Sequence, residues 1–227
     1  MLDSQAPTAS PAQPGPPWTT RPEDSTVTRR VLLVSPAVNE SLRQARFDDG
    51  APLDASGRAA ARAAAGALAT PALVVVSDTR RCRETAVALG LDAADSPGEL
   101  AAPDVGRWRG RTLAEVGAAE PDDVARWLGE PDFAAGGGES VGDVCARVAR
   151  WLDATATATA GAGDGPVVAV VEPEIVRAAV VHALGAPASA YWRCDVAPLT
   201  VTELSGRGGR WNVRMGRPVT APRTPHD

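Results

Sequence analysis

The sequence is poor in the residues that build disulfide frameworks and metal centres. It holds three cysteines, Cys82, Cys145 and Cys194, odd in number, far apart and without a CxxC pair. That pattern excludes a disulfide scaffold and argues against metal ligation; it reads as reduced thiols in a cytoplasmic protein, with no cofactor expected. No apolar run approaches the roughly 20 residues of a membrane-spanning helix. The N-terminus offers no basic segment followed by an apolar one, so no secretory signal is expected. Net charge is −5 and the basic residues are scattered, mostly as single Arg. Nucleic-acid binding needs a concentrated basic face instead. Neither nucleic acid nor a membrane is an expected partner.

What is present is a chain of 227 residues, 44% hydrophobic and dominated by Ala and Val, long enough for one sizeable core. Residues 1–28 carry repeated prolines with Ser, Thr and Gln and almost nothing to bury, the composition of a disordered tail. Trp18 is the one docking candidate within it, against the simpler reading of a solvated tail. Residues 154–166, ATATATAGAGDGP, read as a fraying helix end and a flexible loop, and residues 217–227 as a polar C-terminal tail. One domain over residues 29–216 is expected between the tails.

Within it, strand and helix patterns alternate. The apolar runs at 31–34, 72–77 and 167–171 suit strands buried on both faces. An Ala-rich stretch follows Asp54, a plausible N-cap, and a second helix is expected from Thr79 to about Leu89. Ser140 precedes a longer helix whose Val141, Val144, Val148, Trp151 and Leu152 recur at helical spacing. Pro173 stands where a helix start tolerates a missing N–H. PLTVTELSG and RWNVRMG, joined by GRGG, read as a closing hairpin. The alternation predicts an α/β fold, a three-layer α/β/α sandwich with a mostly parallel central sheet.

The order of these segments, from about Arg30 to Gly216, resembles the histidine phosphatase (phosphoglycerate mutase-like) superfamily. SDTRRCRETA (77–86) is similar to that family's Ser-x-Leu-x-Arg-Ala-x-x-Thr-Ala, with Arg81 in the place of its phosphate-binding arginine. VGRWRGRT (105–112) resembles its Gly-x-Trp-x-Gly-x-Thr segment, and GGES (137–140) opens the next helix as it does there. VVEPEIVRAAVVHALG matches the strand and helix that normally read Val-Ser-His-Gly-x-x-Ile-Arg, and DVAPLTVTEL the closing strand.

The resemblance fails at the chemistry. The family's first strand ends in Arg-His-Gly, whose His attacks phosphorus; the aligned residues are Ser35, Pro36 and Ala37. Its second catalytic His falls on Glu172, the following Gly on Pro173, and its acid on Ala102. Proline offers no nucleophile. Phosphoryl transfer also needs cationic groups around the equatorial oxygens and an acid for the leaving oxygen, the latter typically worth about 10²–10⁴-fold. Arg81 alone persists of the cationic cluster, and Glu172 adds negative charge beside it.

Other residues have simpler readings beside functional ones. Ser35 is the one hydroxyl at the old nucleophile position and could pair with Glu172 as base. Arg46 stands where the family often has an Arg near the pocket mouth, or is a solvated loop residue. Trp108 could line a cleft; the other tryptophans suit core packing. His182 reads as a packed or surface histidine, His226 lies in the tail, and Glu174 suits a helix N-terminus electrostatically. Three functions follow: a non-catalytic member binding an unknown small molecule or protein partner, with a homodimer also compatible; a repurposed enzyme with Glu172 as acid or base and Arg81 as anion anchor; and a residual phosphomonoesterase. The resemblance further implies that Glu172 and Arg81 pair across the vacated cleft.

Overall fold

The computed structural model describes residues 28–93, 96–157, 165–207 and 209–220. The expected N-terminal tail, residues 158–164 of the loop and most of the C-terminal tail lie outside these. In chain order the elements are β1 (Arg29–Val34), α1 (Glu40–Arg43), α2 (Ala55–Ala63), β2 (Leu73–Val76), α3 (Arg80–Ala88), α4 (Leu113–Ala119) and α5 (Pro121–Gly129). There follow α6 (Val141–Thr157), β3 (Val167–Val170), α7 (Pro173–Ala183), β4 (Thr200–Arg207) and β5 (Arg210–Pro218).

Local chemistry sets the helix boundaries. Asp54 accepts a hydrogen bond from Gly57 N at 2.6 Å and starts α2. The helix ends at Ala63, short of the Ala-rich run, where Gly66 enters the left-handed region at φ 75°. Thr79 caps α3 through Cys82 N. Ser140 and Asp143 cap α6 reciprocally: Asp143 N donates to the Ser140 hydroxyl at 3.1 Å and Ser140 N to the Asp143 carboxylate at 3.2 Å. Pro173 is the first residue of α7.

The five strands pair in the order β2-β3-β1-β4-β5. β2, β3 and β1 are mutually parallel, whereas β4 runs antiparallel to both β1 and β5, so four of the five strands share one direction and the sheet is mixed through β4 alone. The cause is connectivity: β4 and β5 form a tight hairpin, which only antiparallel strands allow. Side chains alternate across the sheet with period two. Val31, Leu33, Val75 and Ala169 pack beneath α6 and α7, while Leu32, Val34, Val76 and Val170 pack against α3. Covering both faces makes the three-layer sandwich. Pairing continues to Pro218 and Val219 is buried, so the chain leaves the domain later than residue 216. No helix among the described residues is long and apolar enough to cross a membrane.

The carboxyl ends of β1, β2 and β3 lie together. Val171 N donates to Val34 O at 3.0 Å and Ser77 N to Val170 O at 2.9 Å. In open α/β sheets, this is the edge at which ligands bind. Beside it the segments around Gly106 and Gly138 meet backbone to backbone: a Cβ on Gly106 would fall 2.2 Å from Gly136 O, and one on Gly138 2.1 Å from Asp104 O.

Candidate functional site

A cavity of about 390 Å³ opens at this edge. Arg81, in the first turn of α3, and Glu172, the residue before α7, both line it. They are 8% and 4% exposed, and they form an ion pair: Arg81 Nη2 donates to Glu172 Oε2, and Nε donates to Oε1 at 3.4 Å. The Thr79 hydroxyl donates to the same Oε1 at 2.7 Å, and the Cys82 thiol approaches it at 3.5 Å. Burial alone would pull the Arg81 guanidinium down, but the Glu172 carboxylate more than offsets it and holds Arg81 above its ordinary value. Burial, then the Glu172 charge, pushes the Cys82 thiol well up, so it is an inert thiol rather than a nucleophile.

The structure separates the sequence-derived candidates. Ala102 and Arg46 line the cavity with Arg81 and Glu172. Arg46 is engaged, bonded to Gln44 Oε1 at 2.9 and 3.1 Å and to Gly110 O. Ser35 does not line the cavity, and the expected pairing with Glu172 is absent. It is fully buried, and its hydroxyl is turned toward the start of β4, donating to Ala197 O and accepting from Thr200 N at 3.1 Å. Pro36 is buried and also outside the lining. Ala37 N donates to the Thr85 hydroxyl at 3.0 Å, fastening this loop to α3. Trp108 is fully buried rather than lining a cleft. His182 is bonded to Asp153 at 2.9 Å, away from the cavity lining.

Sequence reasoning missed most of the walls. One wall is aromatic, with Phe47, Trp127, Tyr191 and Trp192 exposed to the cavity. Their rings stack edge to face: Phe47–Trp127 at 5.7 Å, Trp127–Trp192 at 4.4 Å and Tyr191–Trp192 at 4.8 Å between centroids. Two further carboxylates face the space, Asp48 and Glu174. Burial, assisted by the charge of Glu172, raises the pKa of both. Their nearest cations stand off, Arg109 at 3.6 Å from Asp48 and Arg177 at 3.8 Å from Glu174. Arg177 donates instead to Cys194 O at 2.9 Å and lies over the Tyr191 and Trp192 rings. Behind the aromatic wall, Glu120 gathers the Trp108 indole N–H at 3.0 Å, Arg107 Nε at 3.0 Å and Arg111 at 2.7 Å. These bonds, the indole's first, hold its carboxyl down at about 2.

Chemically, the centre offers a neutralised charge pair, two loosely paired arginine–carboxylate couples and a stacked aromatic face. Among the described residues no group of three or more metal-ligating side chains is assembled.

Comparison with known proteins agrees with the architecture. The profile of the histidine phosphatase superfamily (branch 1) matches residues 37–216. A glucosyl-3-phosphoglycerate phosphatase of Mycolicibacterium vanbaalenii is 34% identical over 171 residues, 70% of this chain and 76% of that one. A bifunctional protein of Mycobacterium tuberculosis is 34% identical over 220 residues, 92% of this chain; this chain matches only 57% of that longer protein. Among solved structures, a mycobacterial glucosyl-3-phosphoglycerate phosphatase in complex with VO3 superposes with a TM-score of 0.73 at 28% identity, covering 84% of this chain and 99% of that one.

Proposed function

The chain belongs to the histidine phosphatase superfamily, and from that premise we propose that it is a catalytically degenerate member, a non-phosphatase protein that binds a ligand or partner through its cavity. The observation that carries this reading is the buried Arg81–Glu172 pair. An incoming phosphate needs that guanidinium. To reach it, the phosphate must displace a carboxylate already held by three neighbours and then lie beside it. Two unit charges 4 Å apart at an effective dielectric of 20 repel by about 4 kcal/mol. The residues that align with the family's two catalytic histidines are Pro36 and Glu172, and Ala102 aligns with its acid. Pro36 and Ala102 carry neither a nucleophile nor a transferable proton, and the Glu172 carboxylate is already held by Arg81 and Thr79.

A repurposed enzyme working through Glu172 is less well supported. Glu172 Oε1 accepts from Thr79, Arg81 and Cys82 and Oε2 from Arg81, so a substrate proton would have to compete with contacts already made. The three thiols Cys82, Cys145 and Cys194 are free, which suits the proposed cytoplasmic location. The partner class we propose is a small molecule or a protein, and neither nucleic acid nor a membrane.

The test is phosphate release from p-nitrophenyl phosphate, phosphoglycerates and glucosyl-3-phosphoglycerate, the last taken from the name of the relative. The expected result is no release above background. Turnover that follows the protein through purification and vanishes in Arg81→Ala would overturn the proposal.

A further inference from the structure

Arginines that look scattered in the sequence are gathered by the closing hairpin. β5 is nine residues long and forms one edge of the sheet, with β4 as its neighbour. Residues directly opposite in an antiparallel pair share a face. Arg210 stands opposite Arg207, Asn212 opposite Ser205 and Arg214 opposite Glu203, and Arg30 of β1 lies on the other side of Ser205. This face therefore carries Arg30, Arg207, Arg210 and Arg214 against the single carboxylate of Glu203, in a chain whose net charge is −5. That carboxylate is engaged, since Arg30 Nη2 donates to Glu203 Oε1 at 2.9 Å. Arg210 and Arg214 are exposed and bonded to no carboxylate among the described residues.

Trp211 and Val213 alternate with these arginines and lie on the other face, against the core beneath α6 and α7. Met215, next in the alternation, is 37% exposed. β5 is thus basic or polar on one face and apolar on the other. Its ladder is regular from Arg210 to Arg214 and shifts register only beyond that stretch. No further strand pairs with its outward backbone among the described residues, and a long exposed edge is a template for strand addition. The opposite edge differs: β2 has four residues, three of them buried. No residue of β4 or β5 lines the cavity, so this surface is separate from it.

We infer that β5 is a docking edge for an extended segment of a partner protein in which acidic and apolar residues alternate. Main-chain hydrogen bonds hold the added strand. Every second side chain, a carboxylate, meets Arg210 or Arg214, and the apolar side chains between them extend the row of Trp211, Val213 and Met215. Charge complementarity selects this occupant. In an antiparallel pairing of two copies of β5, arginine would meet arginine, and like charges directly opposite are destabilising. Single-stranded nucleic acid stacks its bases on aromatic rings, and the arginine face has none, because Trp211 lies on the other. A long polyanion also meets repulsion from the negative remainder of the chain.

The experiment is titration calorimetry of the full chain with two capped peptides of one composition, Val-Glu-Val-Glu-Val-Glu and Val-Val-Val-Glu-Glu-Glu. Amide hydrogen exchange is read on β5 in parallel. The alternating peptide is expected to bind at least about fivefold tighter, the ratio one good cross-strand pair supplies, and to slow exchange of the β5 amides. Arg210→Glu should weaken that peptide and favour Val-Lys-Val-Lys-Val-Lys instead. Should the variant fail to fold, Arg214→Gln is expected to show the weakening. Equal affinity for the two acidic peptides, no binding at about millimolar concentration, unchanged exchange in β5, or an unaltered preference in a folded variant overturns the proposal. So does dimerisation through β5 in sedimentation, which gives the edge to a second copy. Tighter binding of a DNA duplex than of the alternating peptide overturns it too, and gives the face to nucleic acid.

Discussion

Two carboxylates in this molecule each gather guanidinium groups, with different consequences. Glu172 is buried and holds one arginine; Glu120 sits at the surface and holds Arg107 and Arg111. Glu120 has more ion-pair partners, yet its arginines are one-third to one-half exposed, where solvent screens the attraction. Glu172 has fewer partners, but neither charge of its pair can be solvated if the other leaves. How far a charge pair matters therefore depends on what each half would face alone, and the number of bonds is a poor guide.

The comparison is broken most severely at the buried pair. Glu172→Ala leaves Arg81 unpaired in a site where it is 8% exposed. A loss of about 3–5 kcal/mol is expected in denaturant unfolding. The double variant Arg81→Met, Glu172→Met should recover most of it, because it removes both charges and keeps volume. A single variant with no measurable loss would show that the pair is as solvated as the surface one.

The next effect converts lost stability into binding. Glu172→Gln keeps the shape and frees the guanidinium, so sulfate or phosphate should bind the variant and not the wild type. Ligand at 100 times its Kd should restore about 2.7 kcal/mol. Calorimetry and anion-dependent melting both measure it. Wild-type protein that binds phosphate well would refute the reasoning.

At Glu120 the expected effect is a change in pH profile. Its carboxyl is depressed from 4.5 to about 2 in the folded protein. A group whose folded value is depressed adds stability that is present above its unfolded value, here 4.5, and lost as pH falls through about 2. Glu120→Gln should flatten the fall in melting temperature across that window, and should cost far less at pH 7 than Glu172→Ala.

Glu174 gives the smallest effect and the opposite sign. Burial raises its pKa, an effect that solvent reduces because the side chain is 37% exposed. Its contribution is present below the unfolded value of 4.5 and is lost as pH rises through the raised one. Glu174→Gln should therefore melt slightly higher than wild type at pH 7 and no higher at pH 4, as read by thermal unfolding at the two pH values.

Much of the fold was legible because its signals are local. The caps at Asp54, Thr79 and Ser140, the buried runs of β1 and β3 and the hairpin all follow from adjacent residues. The Arg81–Glu172 pair was legible through the resemblance, which placed both on one cleft. Ser35 misled because sequence shows a hydroxyl but not the Ala197 and Thr200 backbone groups that engage it. The aromatic wall was not legible. Phe47, Trp127, Tyr191 and Trp192 come from distant segments, and an aromatic at a helical position looks the same whether it faces a core or a cavity. Glu174 was read as a helix-end charge, which its position explains without the cavity.

The seam between the Gly106 and Gly138 segments carries a consequence for how this cavity can diversify. Backbone touches backbone there, so neither segment can accept a side chain at its contact without parting from the other. In a library that randomises both loops, nearly every clone would lose the wall before any new specificity could be sampled. Productive variation is channelled to neighbours that face the space, such as Val105 and Ala135, while the seam is inherited as one piece.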